Sequence, residues 1–201
     1  MTERNWHDAT DHGLPHDPLK AIVTPRPIGW ISTYASDGTA NLAPYSFFNL
    51  VSDDPKLVMF GSSTAKDSAR NAIERGAFAA NFASYDHREA MNATSASLEA
   101  GESEFDRIGV GPAACRTIDA PMHPGVVAVL ECVVTEHMVP KRTDGTDAAG
   151  VIVFGQVVGY HIDPAYLDDG LFVSARARPL ARLGYFDYAT VAETFAIRRP
   201  R

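Results

Sequence analysis

Turn-forming residues divide the first part of the chain into short stretches rich in strand-forming side chains. Residues 28–35 and 40–50 contain many β-branched and aromatic residues, and Ser-Asp-Gly-Thr at 36–39 separates them. This arrangement is typical of a hairpin whose loop contains a residue with positive φ, which glycine adopts without strain. The pattern therefore predicts a β-hairpin with Gly38 in its loop.

Further strands are predicted by apolar runs of strand length. Breakers bound the shorter runs, and the two longest contain many β-branched residues in partly alternating order. The polar turn between the two longest runs includes Asp-Gly, so these runs are expected to pair as a second hairpin. The four predicted strands cover 57–61, 78–82, 126–139 and 151–162.

Two segments between these strands show helix signals. Thr64 is the predicted N-cap, Asp67 completes a capping box, and Gly76 marks the C-terminal stop, which together predict a helix over 65–75. Residues 86–100 predict a second helix, although its middle contains Asn, Thr and Ser, which are indifferent helix formers.

The order of these elements predicts a mainly β fold. Many strands, few helices and two hairpin connections favour a small antiparallel barrel with peripheral helices over alternating βαβ units. Residues 1–20 are polar and interrupted by glycine and proline, which is typical of an N-terminal arm. No linker divides the remainder, so 21–201 is expected to form one domain.

Charge and composition exclude several classes of protein. The 201 residues include 18 Lys and Arg against 25 Asp and Glu, a net charge of −7, which disfavours nucleic acid and anionic membranes as partners. Neither a signal peptide nor a membrane-spanning run is evident. Cys115 and Cys132 are far apart in the chain, which is typical of unpaired thiols in a reducing compartment. A cytoplasmic location is therefore expected.

Small hydroxyl residues precede the first predicted helix. Residues 61–64 are Gly-Ser-Ser-Thr, and Lys66 and Ser68 follow them. Backbone N–H groups, hydroxyl donors and one ammonium group then converge, which suits a phosphate monoester. The alternative is a capped helix with a solvated lysine, and this segment alone leaves both interpretations open.

Aromatic and hydrogen-bonding side chains are interleaved at 41–49. Alternation along one strand would place Tyr45, Phe47 and Asn49 on one face and Ser46 and Phe48 on the other. Such a mixture suits a flat heteroaromatic ring, whose faces stack while its edges need donors and acceptors. The alternative is a barrel core with buried phenylalanines.

Other chemically active residues lack a supporting pattern. A loose dinucleotide-binding glycine pattern at 109–114 follows charged residues instead of a buried strand, and prolines interrupt the helix that should follow. The arm histidines have no regular helical spacing, so no metal site is predicted. Three later histidines have no nucleophile motif beside them, so a hydrolase triad has no support. These histidines are His7, His12 and His16 in the arm, and His123, His137 and His161 beyond it.

Several ordered blocks resemble a known family. Thr-Pro-Arg-Pro-Ile-Gly-Trp-Ile-Ser at 24–32, Asn-Leu-Ala-Pro-Tyr-Ser-Phe-Phe-Asn at 41–49 and Lys-Asp-Ser at 66–68 are similar in order and spacing to flavin reductase-like FMN-binding proteins, flavoredoxin among them. Gly-x-Phe-x-x-Asn at 76–81 and Arg-Leu-Gly at 182–184 continue the resemblance, which covers nearly the whole chain after the arm.

The resemblance implies a split β-barrel homodimer with one FMN per protomer in a cleft at the dimer interface. Matching positions then acquire roles in binding the cofactor. The implied contacts are Ser62, Ser63, Lys66 and Ser68 to the phosphate, Tyr45, Ser46, Phe48 and Asn49 to the ribityl chain and isoalloxazine ring, Asn81 near the ring, and Arg26 to the phosphate or a partner chain.

The resemblance also implies an oxidoreductase in which the flavin carries the chemistry. In the first hypothesis, NAD(P)H delivers hydride to the flavin N5, and reduced flavin passes to a partner protein or reduces an acceptor directly. In the second, the chain is an FMN-binding electron-transfer protein without nicotinamide turnover. A split-barrel oxidase of a phosphorylated pyridoxal-like ring is the third.

One departure from the family pattern concerns access to the flavin. The segment after Arg-Leu often reads Gly-Gly-Asn in the family, whereas Gly184 is followed here by Tyr185 and Phe186. Two bulky aromatic residues are thus expected where small residues usually leave room, and this is the basis of the electron-transfer alternative.

Overall fold

The computed structural model describes residues 5–64, 66–98 and 101–200. Strands dominate these residues, and the helices are short. The strands are β1 (Arg26–Pro27), β2 (Gly29–Tyr34), β3 (Ala40–Tyr45), β4 (Phe48–Asp53), β5 (Lys56–Ser62), β6 (Ala77–Phe82), β7 (Ala113–Ala114), β8 (Pro121–Met122), β9 (Ala128–Met138), β10 (Val151–Ile162), β11 (Leu167–Asp168), β12 (Leu171–Phe172), β13 (Leu180–Arg182) and β14 (Tyr188–Thr190). The helices are α1 (Leu19–Ile22), α2 (Asp67–Arg75), α3 (Arg88–Ala93), α4 (Glu104–Arg107) and α5 (Ser174–Ala177), with 3-10 turns at Tyr85–His87 and Pro164–Tyr166.

The described residues form a seven-stranded antiparallel sheet in the order β3-β2-β6-β9-β10-β5-β4. Strands β3 and β4 occupy opposite edges of this sheet, yet only residues 46 and 47 connect them. Three Cα–Cα steps reach at most roughly 11 Å, whereas the edges of a flat seven-stranded sheet lie roughly 29 Å apart. The sheet must therefore curl until its edges approach each other. The predicted mainly β barrel with peripheral helices is confirmed as a curled half-barrel.

This closure corrects the prediction of one strand over 40–50. The pairing of β3 with β2 ends at Tyr45, and β4 begins at Phe48 as the partner of β5. The predicted alternation of side chains across this segment is therefore wrong. The hairpin itself is confirmed, since Gly38 has a φ of 89° in the turn between β2 and β3. The other predicted strands correspond to β5, β6, β9 and β10.

The two layers of the core lie on opposite faces of the sheet. Trp30 and Ile31 are adjacent in β2 and both fully buried, but they belong to different apolar clusters. Trp30 packs with Phe105 of α4, and Ile31 packs with Ala72 of α2. Helix α2 therefore covers the inner face of the half-barrel, and its N-terminus lies close to strand β3.

The second predicted helix is shorter than expected. Helix α3 ends at Ala93, and Thr94 is its C-cap. The Thr94 hydroxyl donates to the Met91 carbonyl at 2.8 Å and accepts a hydrogen bond from the buried Trp30 indole at 2.9 Å. These tertiary contacts accompany the end of a helix whose local propensity is weak. The predicted terminus at Ala100 lies outside the described residues.

No helix among the described residues is long and apolar enough to cross a membrane.

Candidate functional site

The loop that leads from β5 into α2 presents free donor groups. Helix α2 begins at Asp67, with Lys66 as an extended N-cap, and no side chain caps it. Its first N–H groups are therefore available to an anion. The predicted capping box is wrong, because Thr64 precedes the N-cap and its carbonyl accepts a hydrogen bond from Ser62 Oγ at 2.6 Å. The predicted first helical residue, Ala65, lies outside the described residues.

A cleft of about 400 Å³ opens beside this loop, and we call it the cationic cleft. Among the described residues, Lys20, Arg26, Lys66 and Arg182 line it with one acidic residue, Asp17. Such a local excess of positive charge in a protein of net charge −7 indicates a place for an anion. The predicted site residues that line the cleft are Arg26, Tyr45, Ser46, Ser63 and Lys66.

Arg26 organises one wall of the cationic cleft. Its guanidinium donates to the carbonyls of Lys20 at 2.5 Å, of Leu183 at 2.8 Å and of Val23. The side chain thus ties helix α1 to the chain that follows β13. The Arg26 Nε is buried and has no hydrogen-bond partner among the described residues, so this one donor remains for a ligand.

A second cleft of about 570 Å³ lies on the other side of the loop, and we call it the polar cleft. Ser68 lines it and donates to Asn41 Oδ1 at 2.6 Å, while Asn41 Nδ2 donates to Glu104 at 3.0 Å. The Leu42 N–H also donates to Glu104, at 2.9 Å. Burial raises the pKa of Glu104, and the hydrogen bonds from Leu42 and Asn41 partly offset that effect. This network fixes the position of the Ser68 hydroxyl.

Tyr45 and Lys66 line both clefts. Tyr45 is 6% exposed, and its hydroxyl has no hydrogen-bond partner among the described residues. Burial raises the pKa of Tyr45. Since buried polar groups are almost always satisfied, this hydroxyl indicates a group supplied from outside the chain.

Three predicted site residues of strands β4 and β5 line neither cleft. The Phe48 ring packs over Gly29 so closely that a Cβ on Gly29 would lie 2.5 Å from it. Asn49 is exposed, and its side chain accepts the Leu50 N–H at 2.9 Å. Ser62 is buried and uses its hydroxyl within its own loop. Phe48 and Ser62 therefore pack behind the residues that line the clefts.

Asn81 lies in the core between β2 and β9, away from both clefts. Its Nδ2 donates to the Trp30 carbonyl and to Ser32 Oγ, each at 2.8 Å, and its Oδ1 accepts the His123 N–H at 2.8 Å. No donor of this amide remains for a ring edge, so the predicted contact with the isoalloxazine has no geometric support.

Four residues of the two clefts are not predicted from the sequence: Lys20, Arg182, Asn41 and Glu104. For the two cations, Lys20 and Arg182, the acidic net charge is a signal, because an anion site in such a protein needs several nearby cations. Both lie far from Lys66 along the chain, so no local pattern groups them with it. The sequence has no such signal for Asn41 and Glu104.

Comparisons with known proteins agree with this fold. A family model described as the flavin reductase like domain matches residues 22–181. YwrF of Bacillus subtilis is 33% identical over 188 residues, which cover 90% of this chain and 91% of YwrF.

Two crystal structures are similar over most of their length. Nitrilotriacetate monooxygenase component B from Bacillus cereus has a TM-score of 0.84 at 28% identity, covering 89% of this chain and 90% of that chain. The 2-nitrobenzoate 2-nitroreductase NbaA from Pseudomonas fluorescens has a TM-score of 0.80 at 26% identity, covering 90% and 88%. Because the family model matches most of the sequence, the chain belongs to the flavin reductase-like family.

Proposed function

We propose that this protein binds FMN and acts as an oxidoreductase, with the FMN phosphate held in the cationic cleft. The observation that carries the proposal is that Lys20 and Arg182 line the same cleft as Lys66, the N-cap of helix α2, which no side chain caps. An anion there gains from three cations and from the partial positive charge of the helix N-terminus. Neither lysine ammonium has a carboxylate partner among the described residues, so both are available to the phosphate.

The walls of the cleft also fit the rest of the cofactor. Ser46 and Phe47 form the two-residue connection that closes the half-barrel, and both line the cleft. Phe47 is 43% exposed, so its ring offers a face to a flat heteroaromatic group. The unpartnered hydroxyl of Tyr45 offers a hydrogen bond to a polar edge or to the ribityl chain.

When bound, FMN would supply the redox chemistry of the proposed reaction, with NAD(P)H as the hydride donor. The residues of this chain bind the phosphate, orient the ring and exclude water, and no protein acid or base is required. The two structural neighbours are a monooxygenase component and a nitroreductase, and both names describe redox proteins, which supports an oxidoreductase.

An FMN-binding electron-transfer protein without nicotinamide turnover is the second candidate. One observation favours it. Tyr185 lines the cationic cleft, and His16 of the arm packs edge-on against its ring at a centroid distance of 5.7 Å. This pair narrows the approach to the cleft for a second large ligand.

A homodimer is part of the proposal. Strand β10 turns a row of apolar side chains to solvent, with Val158 44%, Tyr160 55% and Ile162 40% exposed. A second copy would bury this row, and sedimentation analysis measures whether the protein is dimeric. Cys115 and Cys132 are unpaired, which fits the proposed cytoplasmic location.

The phosphate site is tested by titrating FMN and riboflavin against Lys66→Ala. We expect FMN binding to weaken by about tenfold or more, since a charge-assisted contact to phosphate is lost, while riboflavin, which has no phosphate, binds as before. Lys56→Ala is the matched control, because Lys56 carries the same charge on β5 but pairs with Asp53 at 3.7 Å, outside both clefts. Equal losses for FMN and riboflavin would refute the assignment.

The two candidate activities are separated by anaerobic addition of NADH, and then NADPH, to the FMN-loaded protein. Bleaching of the oxidised flavin absorbance within seconds supports the reductase. A flavin that stays oxidised with both nicotinamides supports the electron-transfer protein.

A further inference from the structure

A third cavity, of about 480 Å³, lies between helix α3 and strands β13 and β14. We call it the aromatic cavity, because Tyr85, Phe186 and Tyr188 line it. Arg88 and Arg182 also line it. Arg182 also lines the cationic cleft, so the two spaces share one residue.

The loop after β13 holds the two aromatic residues that depart from the family pattern. The Leu183 N–H donates to the Asp187 carbonyl at 3.0 Å, and the Asp187 N–H donates to the Gly184 carbonyl at 2.9 Å. Within this tight loop, Tyr185 has a φ of 54°, which is unusual for a bulky residue. This backbone shape directs Tyr185 to the cationic cleft and Phe186 to the aromatic cavity.

Phe186 is the most exposed part of the aromatic wall. Its side chain is 91% exposed although it is held on a short, hydrogen-bonded loop. A large apolar ring in water at the edge of a cavity is available for stacking with a second ring. Tyr188, across the cavity, is 39% exposed and offers another ring.

Within the described part of the chain, two arginines and one carboxylate, Glu89, line the aromatic cavity, which leaves it with one net positive charge. Arg182 stacks over the Tyr188 ring at 4.4 Å and has no carboxylate partner among the described residues. Arg88 stacks over Tyr85 at 4.2 Å, and its Nε is 3.5 Å from Glu89, whose carboxylate side chain is 85% exposed. Such an exposed ion pair is weak, so Arg88 can exchange it for a ligand.

An unpartnered hydroxyl adds a separate sign of a missing polar group. Thr190 lines the aromatic cavity, and its Oγ1 is buried without a hydrogen-bond partner among the described residues. Buried hydroxyls are rarely left unsatisfied. A ligand with a hydrogen-bond acceptor in the cavity would provide the missing partner.

We propose that the aromatic cavity binds a small aromatic carboxylate, with its ring against Phe186 and Tyr188 and its carboxylate on Arg88 and Arg182. The planar guanidinium matches a carboxylate in two parallel hydrogen bonds, and the aromatic wall matches a flat ring. The cavity volume suits one small ligand. Of the residues that carry this inference, Arg88, Phe186, Tyr188 and Thr190 line only the aromatic cavity, and Arg182 also lines the cationic cleft, so binding is expected in the FMN-free protein.

The test is calorimetric titration of benzoate into the full-length protein without FMN, repeated with cyclohexanecarboxylate and with benzyl alcohol. Cyclohexanecarboxylate keeps the charge without the aromatic ring, and benzyl alcohol keeps the ring without the charge. We expect benzoate to bind more tightly than either by about tenfold, which is the factor expected for one lost charge-assisted or stacking contact.

Two variants and one matched control assign the binding to this cavity. Arg88→Met and Phe186→Ala are each expected to weaken benzoate by about tenfold, and both change exposed side chains. Arg178→Met is the control, because Arg178 stacks on Tyr85 at the same 4.2 Å but pairs with Asp86 and does not line the cavity. It should bind benzoate like the unmodified protein.

Several results would overturn the inference. These are the absence of benzoate binding, equal affinity for cyclohexanecarboxylate, and equal losses in the Arg88 and Arg178 variants. An FMN titration of the Phe186→Ala protein keeps the two proposals apart, since its FMN affinity should be unchanged when benzoate binding is lost.

Discussion

Lowering the pH should destabilise this protein through protonation of the Glu131 carboxylate. This residue lies on β9 and is 1% exposed. Its carboxylate accepts the backbone N–H groups of Arg116 at 2.6 Å and Thr117 at 2.7 Å, the Thr117 hydroxyl, and His161 Nε2 at 2.5 Å. Burial by itself raises the pKa of Glu131, but the hydrogen bonds from Thr117, Arg116 and His161 outweigh it and hold the pKa at about 2.

The magnitude follows from the difference between the folded and unfolded pKa. The ordinary value is 4.5 and the folded value is about 2, which corresponds to about 3 kcal/mol of stability at about 1.4 kcal/mol for each pKa unit. Because the folded pKa is lowered, this contribution is present above about pH 4.5 and is lost as the pH falls toward about 2.

The assay is urea denaturation at a series of pH values for the unmodified protein and for Glu131→Gln. Trp30 is fully buried and Trp6 is 83% exposed, so the change in tryptophan fluorescence on unfolding reports mainly on Trp30. Glutamine keeps the shape but cannot ionise. The advantage of the unmodified protein over Glu131→Gln should therefore shrink by about 3 kcal/mol between about pH 6 and about pH 2.

The control is His161→Asn, which removes the imidazole donor and leaves the carboxylate with its two backbone donors and the Thr117 hydroxyl. This variant should keep most of the pH dependence. Denaturation free energies of the unmodified and Glu131→Gln proteins that run parallel across the whole pH range would refute the reasoning, because the lowered pKa would then have no effect on folding.

Two further substitutions test the packing around Gly155 and the unpartnered hydroxyl of Tyr45. Gly155→Ala should lower the free energy of unfolding by about 1–3 kcal/mol, because the added Cβ would lie 2.5 Å from the buried Phe78 ring. The control is Gly159→Ala on the same strand, where the added Cβ would have no neighbour closer than 3.6 Å. In the same urea assay, the control should unfold like the unmodified protein. Tyr45→Phe should raise the free energy of unfolding of the FMN-free protein by about 1 kcal/mol by removing a buried unpaired hydroxyl, and should weaken FMN in a titration. A destabilised FMN-free Tyr45→Phe protein would contradict that interpretation.

Features with a local cause were predictable from the residues alone. Helix α2 ends where expected because Gly76 adopts a φ of 71°, and the first hairpin turns at Gly38 for the same steric reason. Strands β9 and β10 lie close to their predicted bounds, since long runs of β-branched residues favour an extended backbone.

Features that depend on closure of the sheet were not predictable in this way. Residues 40–50 have the composition of one strand, and nothing local requires a break at Ser46 and Phe47. The break exists because β3 and β4 occupy opposite edges of one curled sheet. It leaves Tyr45 buried while Phe47 and Asn49 are exposed, although alternation along a single strand predicts all three on one face.

The family, the mainly β fold and the segment around Lys66 as an anion-binding candidate can be read from the residues alone, because these depend on the order and type of neighbouring residues. The other side chains that join Lys66 are fixed by packing between distant segments. Lys20 of the first helix and Arg182 of β13 line the same cleft although most of the chain lies between them. They meet because Arg26 binds carbonyls of both segments, and such long-range packing leaves no periodic signal in the sequence.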